Sequence, residues 1–84
     1  MKVYLDRDVV KFINNLSSKE KERILRRLKA LEVDPFLGKK LKDRENTYSI
    51  RVGKYRIIYE IHPEIDEIWV LKIDKRSRVY DRLD

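Results

Sequence analysis

Residues 48–59 constrain the fold more than any other stretch, because their alternating pattern predicts two strands joined by Gly53-Lys54. A glycine in the first central position of a two-residue connection favours a type II′ turn, whose twist matches that of the flanking strands. This turn sets the cross-strand register. The predicted pairs are Val52–Tyr55, Arg51–Arg56, Ile50–Ile57 and Ser49–Ile58. One face of the hairpin is then apolar, and the other carries two arginines.

The two arginines, Arg51 and Arg56, are expected to lie directly opposite each other. Like charges in that position destabilise an antiparallel pair unless an anion lies nearby, so the pair suggests an anion-binding site. The alternative is that both guanidinium groups extend into solvent, where exposed charge pairs change stability by only about a few tenths of a kcal/mol. The hairpin alone leaves both interpretations open.

The composition is that of one small folded domain. The chain has 84 residues, of which 42% are hydrophobic, with two Gly and two Pro. We therefore expect a single domain over residues 1–84. The sequence contains no Cys, which excludes disulfides and thiolate chemistry. No stretch is apolar enough for a signal peptide or a membrane span, and we predict a cytoplasmic protein without membrane association.

The charge is positive and unevenly distributed. A net charge of +6 favours a polyanionic partner such as nucleic acid, or an acidic protein. Residues 38–56 and 75–82 are rich in Lys and Arg, whereas residues 57–74 are mainly acidic. The charged residues make up 43% of the chain, a fraction typical of thermophile proteins.

The remaining pattern predicts an α+β fold, with an N-terminal strand, a two-helix hairpin and then a three-stranded antiparallel sheet. We expect a strand at Lys2–Leu5, a short helix after Asp6, and a second helix that begins at a capping box and ends at Asp34-Pro35. The capping box is Ser17 with Glu20. The apolar stripe of the second helix is Ile24, Leu25, Leu28 and Leu31, and the last strand is expected to direct Trp69, Leu71 and Ile73 toward the helices.

This topology predicts that two basic blocks meet at one end of the sheet. The last strand returns toward Gly53, so Arg76, Arg78 and Tyr80 should arrive beside Arg56. Tyr80 could stack on a base or relay a proton, or it could simply pack the C-terminus onto the sheet. The single histidine, His62, is predicted to be a surface turn residue at the opposite, acidic end. One His and no Cys predict no metal site.

The hairpin run and the later segment Lys75-Arg76-Ser77-Arg78-Val79-Tyr80 resemble the RelE/ParE superfamily of toxins from toxin–antitoxin systems. Chain length and element order agree over essentially the whole sequence. The resemblance implies a microbial-RNase-like fold. In the RelE branch it also implies cleavage of mRNA in the ribosomal decoding site, without a metal or other cofactor. The ribose 2′-hydroxyl attacks its own phosphate in that chemistry, leaving a 2′,3′-cyclic phosphate and a 5′-hydroxyl.

By position, the resemblance implies a role for each candidate catalytic residue. Arg51 matches a basic residue of the family site, Arg56 the arginine that holds the scissile phosphate, Arg76 the arginine that stabilises the transition state, and Tyr80 the tyrosine that stacks on the substrate. The candidate RNA-binding residues are Lys39, Lys40, Lys42, Lys54 and Arg78. Some relatives have a lysine where this chain has Ser49, so the resemblance does not identify a general base.

The resemblance also implies partners, which are the ribosome, mRNA and a cognate acidic, RelB-like antitoxin. Two other functions remain open at this point. The ParE branch inhibits DNA gyrase instead of cutting RNA. A non-catalytic module that binds nucleic acid or antitoxin would also fit the positive charge.

Overall fold

Two helices pack on one face of a five-stranded sheet in the structure of this chain, a computed structural model that describes residues 1–75. The elements in chain order are β1 (Lys2–Leu5), α1 (Arg7–Asn14), α2 (Ser18–Val33), β2 (Lys39–Lys40), β3 (Thr47–Val52), β4 (Tyr55–His62) and β5 (Glu67–Lys75). Short 3₁₀ turns occupy Pro35–Leu37 and Pro63–Ile65. Neither helix is long and apolar enough to cross a membrane.

The predicted α+β class is confirmed, but the sheet has five strands, because the predicted N-terminal strand joins it as β1 and β2 is a further strand that was not predicted. The strand order is β1-β5-β4-β3-β2, in which β1 pairs with β5 in parallel and all other pairs are antiparallel. Both additions satisfy backbone groups that would otherwise be unpaired, since β1 covers the outer edge of β5 and β2 covers that of β3.

The helix boundaries agree with the sequence pattern. Helix α1 begins after Asp6, although the Asp6 side chain makes no capping hydrogen bond. Helix α2 begins after Ser17, whose hydroxyl accepts a hydrogen bond from the backbone N–H of Glu20 at 3.2 Å. The helix ends before Asp34-Pro35. Local capping and proline signals therefore set both ends of α2.

One apolar cluster joins the helices to the sheet. Three of the four residues of the α2 stripe, Ile24, Leu28 and Leu31, are at most 5% exposed, but Leu25 is 43% exposed. Leu25 belongs to the predicted stripe, but it lies beside Lys21, Glu22 and Lys29 on the outer side of α2. The other buried members of the cluster are Val9, Ile13, Ile50, Val52, Tyr55, Ile57, Tyr59, Ile61, Ile68, Val70 and Ile73.

The hairpin between β3 and β4 has the predicted register. The cross-strand pairs are Val52–Tyr55, Arg51–Arg56, Ile50–Ile57 and Ser49–Ile58. Gly53 has φ +59°, and Lys54 is not among the described residues with positive φ. A positive φ at the first central position alone is the pattern of a type II′ turn.

Strand β5 contains a β-bulge at Leu71. Tyr59 pairs with Val70 whereas Ile58 pairs with Lys72, so one residue of β5 lies between two consecutive pairs. The bulge resets which side chains face the helices. The residues of β5 that face the helices are therefore even-numbered before the bulge and odd-numbered after it.

Before the bulge, the buried residues are Ile68 and Val70, and after it the buried residue is Ile73. The burial of Ile73 is as predicted. The prediction that Trp69 faces the helices is wrong, because Trp69 alternates with two buried neighbours and is 39% exposed on the opposite face. Leu71 is the bulge residue and is half-buried.

Candidate nucleic-acid interface

The face of the sheet that the helices leave uncovered carries three of the six candidate site residues that the structure describes, Lys39, Arg51 and Arg56, and we refer to it as the open face. Directly opposed residues of neighbouring strands share a face, so the register defines rows across it. Two adjacent rows at the Gly53 end are Arg51–Arg56–Asp74 and Lys39–Ser49–Ile58–Lys72. We refer to Lys39, Arg51, Arg56 and Lys72 as the basic cluster.

Arg56 lies in the middle of the basic cluster, between Arg51 on β3 and Asp74 on β5. Its side chain is half-buried, and its guanidinium donates a hydrogen bond to the hydroxyl of Ser49 at 3.4 Å. Arg51 lies opposite it and is exposed. Among residues 1–75, Arg56 forms no salt bridge with a carboxylate. Arg51 and Arg56 extend from directly opposed backbone positions, and the planar guanidinium group of each carries paired N–H donors that suit a phosphate.

Asp74 lies opposite Arg56 on its other side, in β5. Its side chain is 17% exposed, and one carboxylate oxygen lies 3.9 Å from Nζ of Lys72. The other oxygen accepts a hydrogen bond from the backbone N–H of Lys75 at 2.8 Å. The carboxylate of Asp74 therefore borders the basic cluster.

Lys39 reaches the open face because β2 is held close to β3. The hydroxyl of buried Tyr59 donates to the carbonyl of Pro35 at 2.8 Å and accepts from the N–H of Gly38 at 3.1 Å. Burial raises the pKa of Tyr59 above its ordinary value. These bonds fix the chain just before β2 and place Lys39 opposite Ser49.

Lys40 and Lys42 lie away from the basic cluster. Lys40 is opposite Tyr48, whose ring stacks on that of buried Tyr59 at a centroid distance of 5.6 Å. Lys40 therefore lies on the helix-covered face of the sheet, at its edge. Lys42 is in the turn that connects β2 to β3. Both stay predictions as RNA contacts.

Lys54 contacts helix α2. Its ammonium lies 3.2 Å from the carboxylate of Glu20, which also accepts a hydrogen bond from the hydroxyl of Tyr55 at 3.0 Å. The hydrogen bonds from Lys54 and Tyr55 lower the pKa of Glu20, and the same carboxylate raises the pKa of Lys54. We refer to Glu20, Lys54 and Tyr55 as the hairpin clamp, since they tie the Gly53 turn to the first turn of α2.

Three predicted site residues, Arg76, Arg78 and Tyr80, lie outside the described residues. The strand that leads to them follows the predicted path, because Asp74 is opposite Arg56 and Lys75 is opposite Tyr55. The described part of β5 thus ends beside the Gly53 turn.

The other end of the open face is acidic and aromatic. His62 ends β4 instead of lying in the turn as predicted, and its Nε2 is 3.0 Å from the carboxylate of Glu60. Its ring packs on Trp69 at a centroid distance of 4.0 Å. The indole N–H of Trp69 donates to Glu67 at 2.8 Å. Within residues 1–75, no group of three or more His, Asp or Glu side chains is arranged to hold a metal ion.

Asp74 and Lys72 are both absent from the candidate site residues predicted from the sequence. An unbroken alternation that turns Leu71 and Ile73 toward the helices already puts Lys72 and Asp74 on the open face, but it does not reveal the bulge at Leu71, which turns Ile68 and Val70 inward. One signal was available, since Val70 and Ile73 are apolar residues three positions apart within one strand. That spacing fits a two-residue period only if an extra residue intervenes.

Comparison with solved structures identifies the fold. A chain of the archaeal RelE–RelB complex from Pyrococcus horikoshii is 28% identical, with a TM-score of 0.82, over 92% of this chain and 96% of that chain. For isolated RelE toxin of E. coli the identity is 24% and the TM-score 0.79, over 98% and 93% of the chains. A chain of the RelB–RelE complex from Methanococcus jannaschii is 26% identical, with a TM-score of 0.72, over 95% of this chain and 98% of that chain. The fold is that of the RelE toxins.

The sequence comparison agrees with this fold class. The family model described as the ParE toxin of the type II toxin–antitoxin system, parDE, matches residues 5–80. A comparison with curated protein sequences found no significant match. The chain belongs to this toxin family, and it is a toxin of a type II toxin–antitoxin system with a RelE-like structure.

Proposed function

We propose that this toxin is a ribosome-dependent endoribonuclease, which cleaves mRNA through attack of the ribose 2′-hydroxyl on the adjacent phosphate and needs no metal. The observation that carries the proposal is the adjacent pair Arg51 and Arg56 on the open face of a RelE-like fold, with Arg56 half-buried and bonded to Ser49. Such a pair can bind a phosphate through several N–H donors at once.

In this proposal, Arg56 binds the scissile phosphate and Arg51 supports it. Charge accumulates on the phosphate oxygens in the transition state, and preorganised guanidinium groups stabilise that charge better than water can. Arg76 would add a further cation and Tyr80 a stacking surface. The residues proposed to bind the RNA backbone are Lys39, Lys40, Lys42, Lys54 and Arg78.

We propose an acidic, RelB-like antitoxin as the protein partner and the cytoplasm as the location. The solved P. horikoshii and M. jannaschii structures are complexes of RelE with RelB. The basic cluster and the net charge of +6 would attract an acidic chain. A partner that covered the basic cluster would also block RNA.

The test is cleavage of a ribosome-bound message in vitro by the wild type and by Arg56→Ala. We expect codon-linked breaks with 2′,3′-cyclic phosphate and 5′-hydroxyl ends, and a rate about 10²–10³-fold lower for Arg56→Ala, the usual loss when one transition-state donor is removed. Arg26→Ala is the matched control, because Arg26 is exposed on α2 and paired with Glu22. Equal rates for wild type and Arg56→Ala would contradict the proposal.

Inhibition of DNA gyrase is the second candidate, because the matching family model is described as a ParE toxin. A supercoiling assay with purified gyrase separates the two functions. Inhibition of gyrase together with intact mRNA would select the ParE function. If neither activity is found and Arg56→Ala changes no phenotype, a non-catalytic binding role remains.

A further inference from the structure

The proposed reaction requires a proton acceptor, and the four members of the basic cluster are all cations. Arginine and lysine side chains are donors without a free lone pair in their charged forms. Ser49 is a hydroxyl that already accepts a hydrogen bond from Arg56. In the two rows that carry the basic cluster, Asp74 is the one carboxylate among residues 1–75.

Other acids and the histidine of the open face lie too far from the arginine pair. Glu60 is four residues along β4 from Arg56, or about 13 Å at ~3.3 Å per residue, and His62 is about 20 Å away. Both are also engaged with each other at 3.0 Å. A group must lie within about 3 Å of the hydroxyl, or one water away, to accept its proton.

The bulge at Leu71 is what brings Asp74 into position. The register after the bulge sets Asp74 opposite Arg56 and Lys72 opposite Ile58, with both side chains on the open face. Opposed Cα atoms of an antiparallel pair are only about 4.5–5.5 Å apart. A phosphate bound by Arg56 would therefore have the carboxylate of Asp74 at its flank.

We propose that Asp74 is the general base of the cleavage reaction, an inference that rests on the proposed function. Its carboxylate takes the proton of the 2′-hydroxyl while the 2′-oxygen forms a bond to phosphorus and the bond from phosphorus to the 5′-oxygen breaks. The 5′-oxygen takes a proton from solvent, and Asp74 returns its own proton to solvent. The proton count is balanced, and no further reactant is needed.

The charged groups that face Asp74 are Arg56 from β4 and Lys72 from its own strand. Both would hold substrate oxygens near the carboxylate. Asp74 is also partly buried, at 17% exposed, and its hydrogen bond to the N–H of Lys75 fixes its rotamer. These contacts suit a base that must be held in one place before the substrate arrives.

The experiment measures cleavage of ribosome-bound message by the wild type, Asp74→Asn and Asp74→Glu. Asp74→Asn keeps the shape but not the basicity, and its rate should fall about 10²–10⁴-fold, the usual contribution of a general base. Co-sedimentation with ribosomes should be unchanged. Asp74→Glu keeps the carboxylate and should recover at least part of the rate. Glu67→Gln is the control, as a carboxylate on the same strand and face.

The outcomes are distinguishable. If wild type cleaves, Arg56→Ala is impaired and Asp74→Asn cleaves as fast as wild type, the inference about Asp74 is overturned while the proposed function stands. If Asp74→Asn loses ribosome binding together with cleavage, Asp74 has a structural role and the inference is again overturned. Circular dichroism of each variant checks its folding. No cleavage by wild type rejects both the function and the inference.

Discussion

Replacing Gly38 with alanine tests how β2, and with it Lys39, is held against the sheet. Gly38 has φ −81° and ψ −179°, an extended conformation that any residue can adopt. Glycine is required at this position because there is no room for a side chain. A Cβ added there would lie 2.6 Å from the carbonyl oxygen of Ser49 and 2.6 Å from the hydroxyl of Tyr59. Both distances are well inside van der Waals contact.

The cost can be worked from these contacts. One of the two atoms belongs to the backbone of β3 and cannot rotate away, so β2 must move or the strand must bend. An extra methyl in a packed site costs about 1–3 kcal/mol. For a domain of this size each 1 kcal/mol lowers Tm by about 4–8 °C. We expect Gly38→Ala to unfold roughly 4–24 °C below wild type by that conversion.

Thermal and urea denaturation followed by circular dichroism give these values for the purified chain. Lys40→Ala, an exposed change two residues further on, should stay within about 0.5 kcal/mol of wild type. Tyr59→Phe removes one of the two clashing atoms, so its effect in the Gly38→Ala background should be about 0.5–3 kcal/mol more favourable than in wild type. A Gly38→Ala protein as stable as wild type would refute the close approach of β2 to β3.

Two further predictions concern α2 and the hairpin clamp. Leu31→Ala should cost about 2–5 kcal/mol because Leu31 is fully buried, whereas Leu25→Ala should cost far less because Leu25 is 43% exposed, and urea denaturation of the pair checks the register of the helix. The clamp lowers the pKa of Glu20 from its ordinary value of 4.5, so its contribution to stability is present above that pH and is lost as the pH falls through the lowered folded value. Stability measured as a function of pH should therefore decline on the acid side more steeply for wild type than for Lys54→Met, and equal declines would contradict the clamp.

The features that the sequence predicted best are those set by residues close together in the chain. The hairpin register follows from Gly53 and its flanking alternation, and the start of α2 follows from Ser17 and Glu20. All of these are local signals. The hairpin signal alone predicts that Arg56 lies opposite Arg51.

What the sequence did not predict depends on contacts between distant segments. The parallel pairing of β1 with β5 joins residues at the two ends of the described chain, and two residues of β2 are too short a stretch to show a period. The sequence also does not show that Lys39 lies on the open face whereas Lys40 and Lys54 do not, because that difference depends on contacts with distant segments. Their neighbours, Tyr48 and Glu20, are set by the sheet edge and by α2.

The bulge in β5 decides which charges the candidate site contains. If the register at Val70 continued without it, Lys72 would lie opposite Ile57 in the core and Ile73 opposite Arg56 on the open face. Burying an unpaired ammonium group costs several kcal/mol or more, and exposing Ile73 would forfeit its burial. A bulge leaves a single residue without a cross-strand partner, which is the smaller cost. The core therefore selects the bulge, and the bulge in turn places Asp74 beside Arg56.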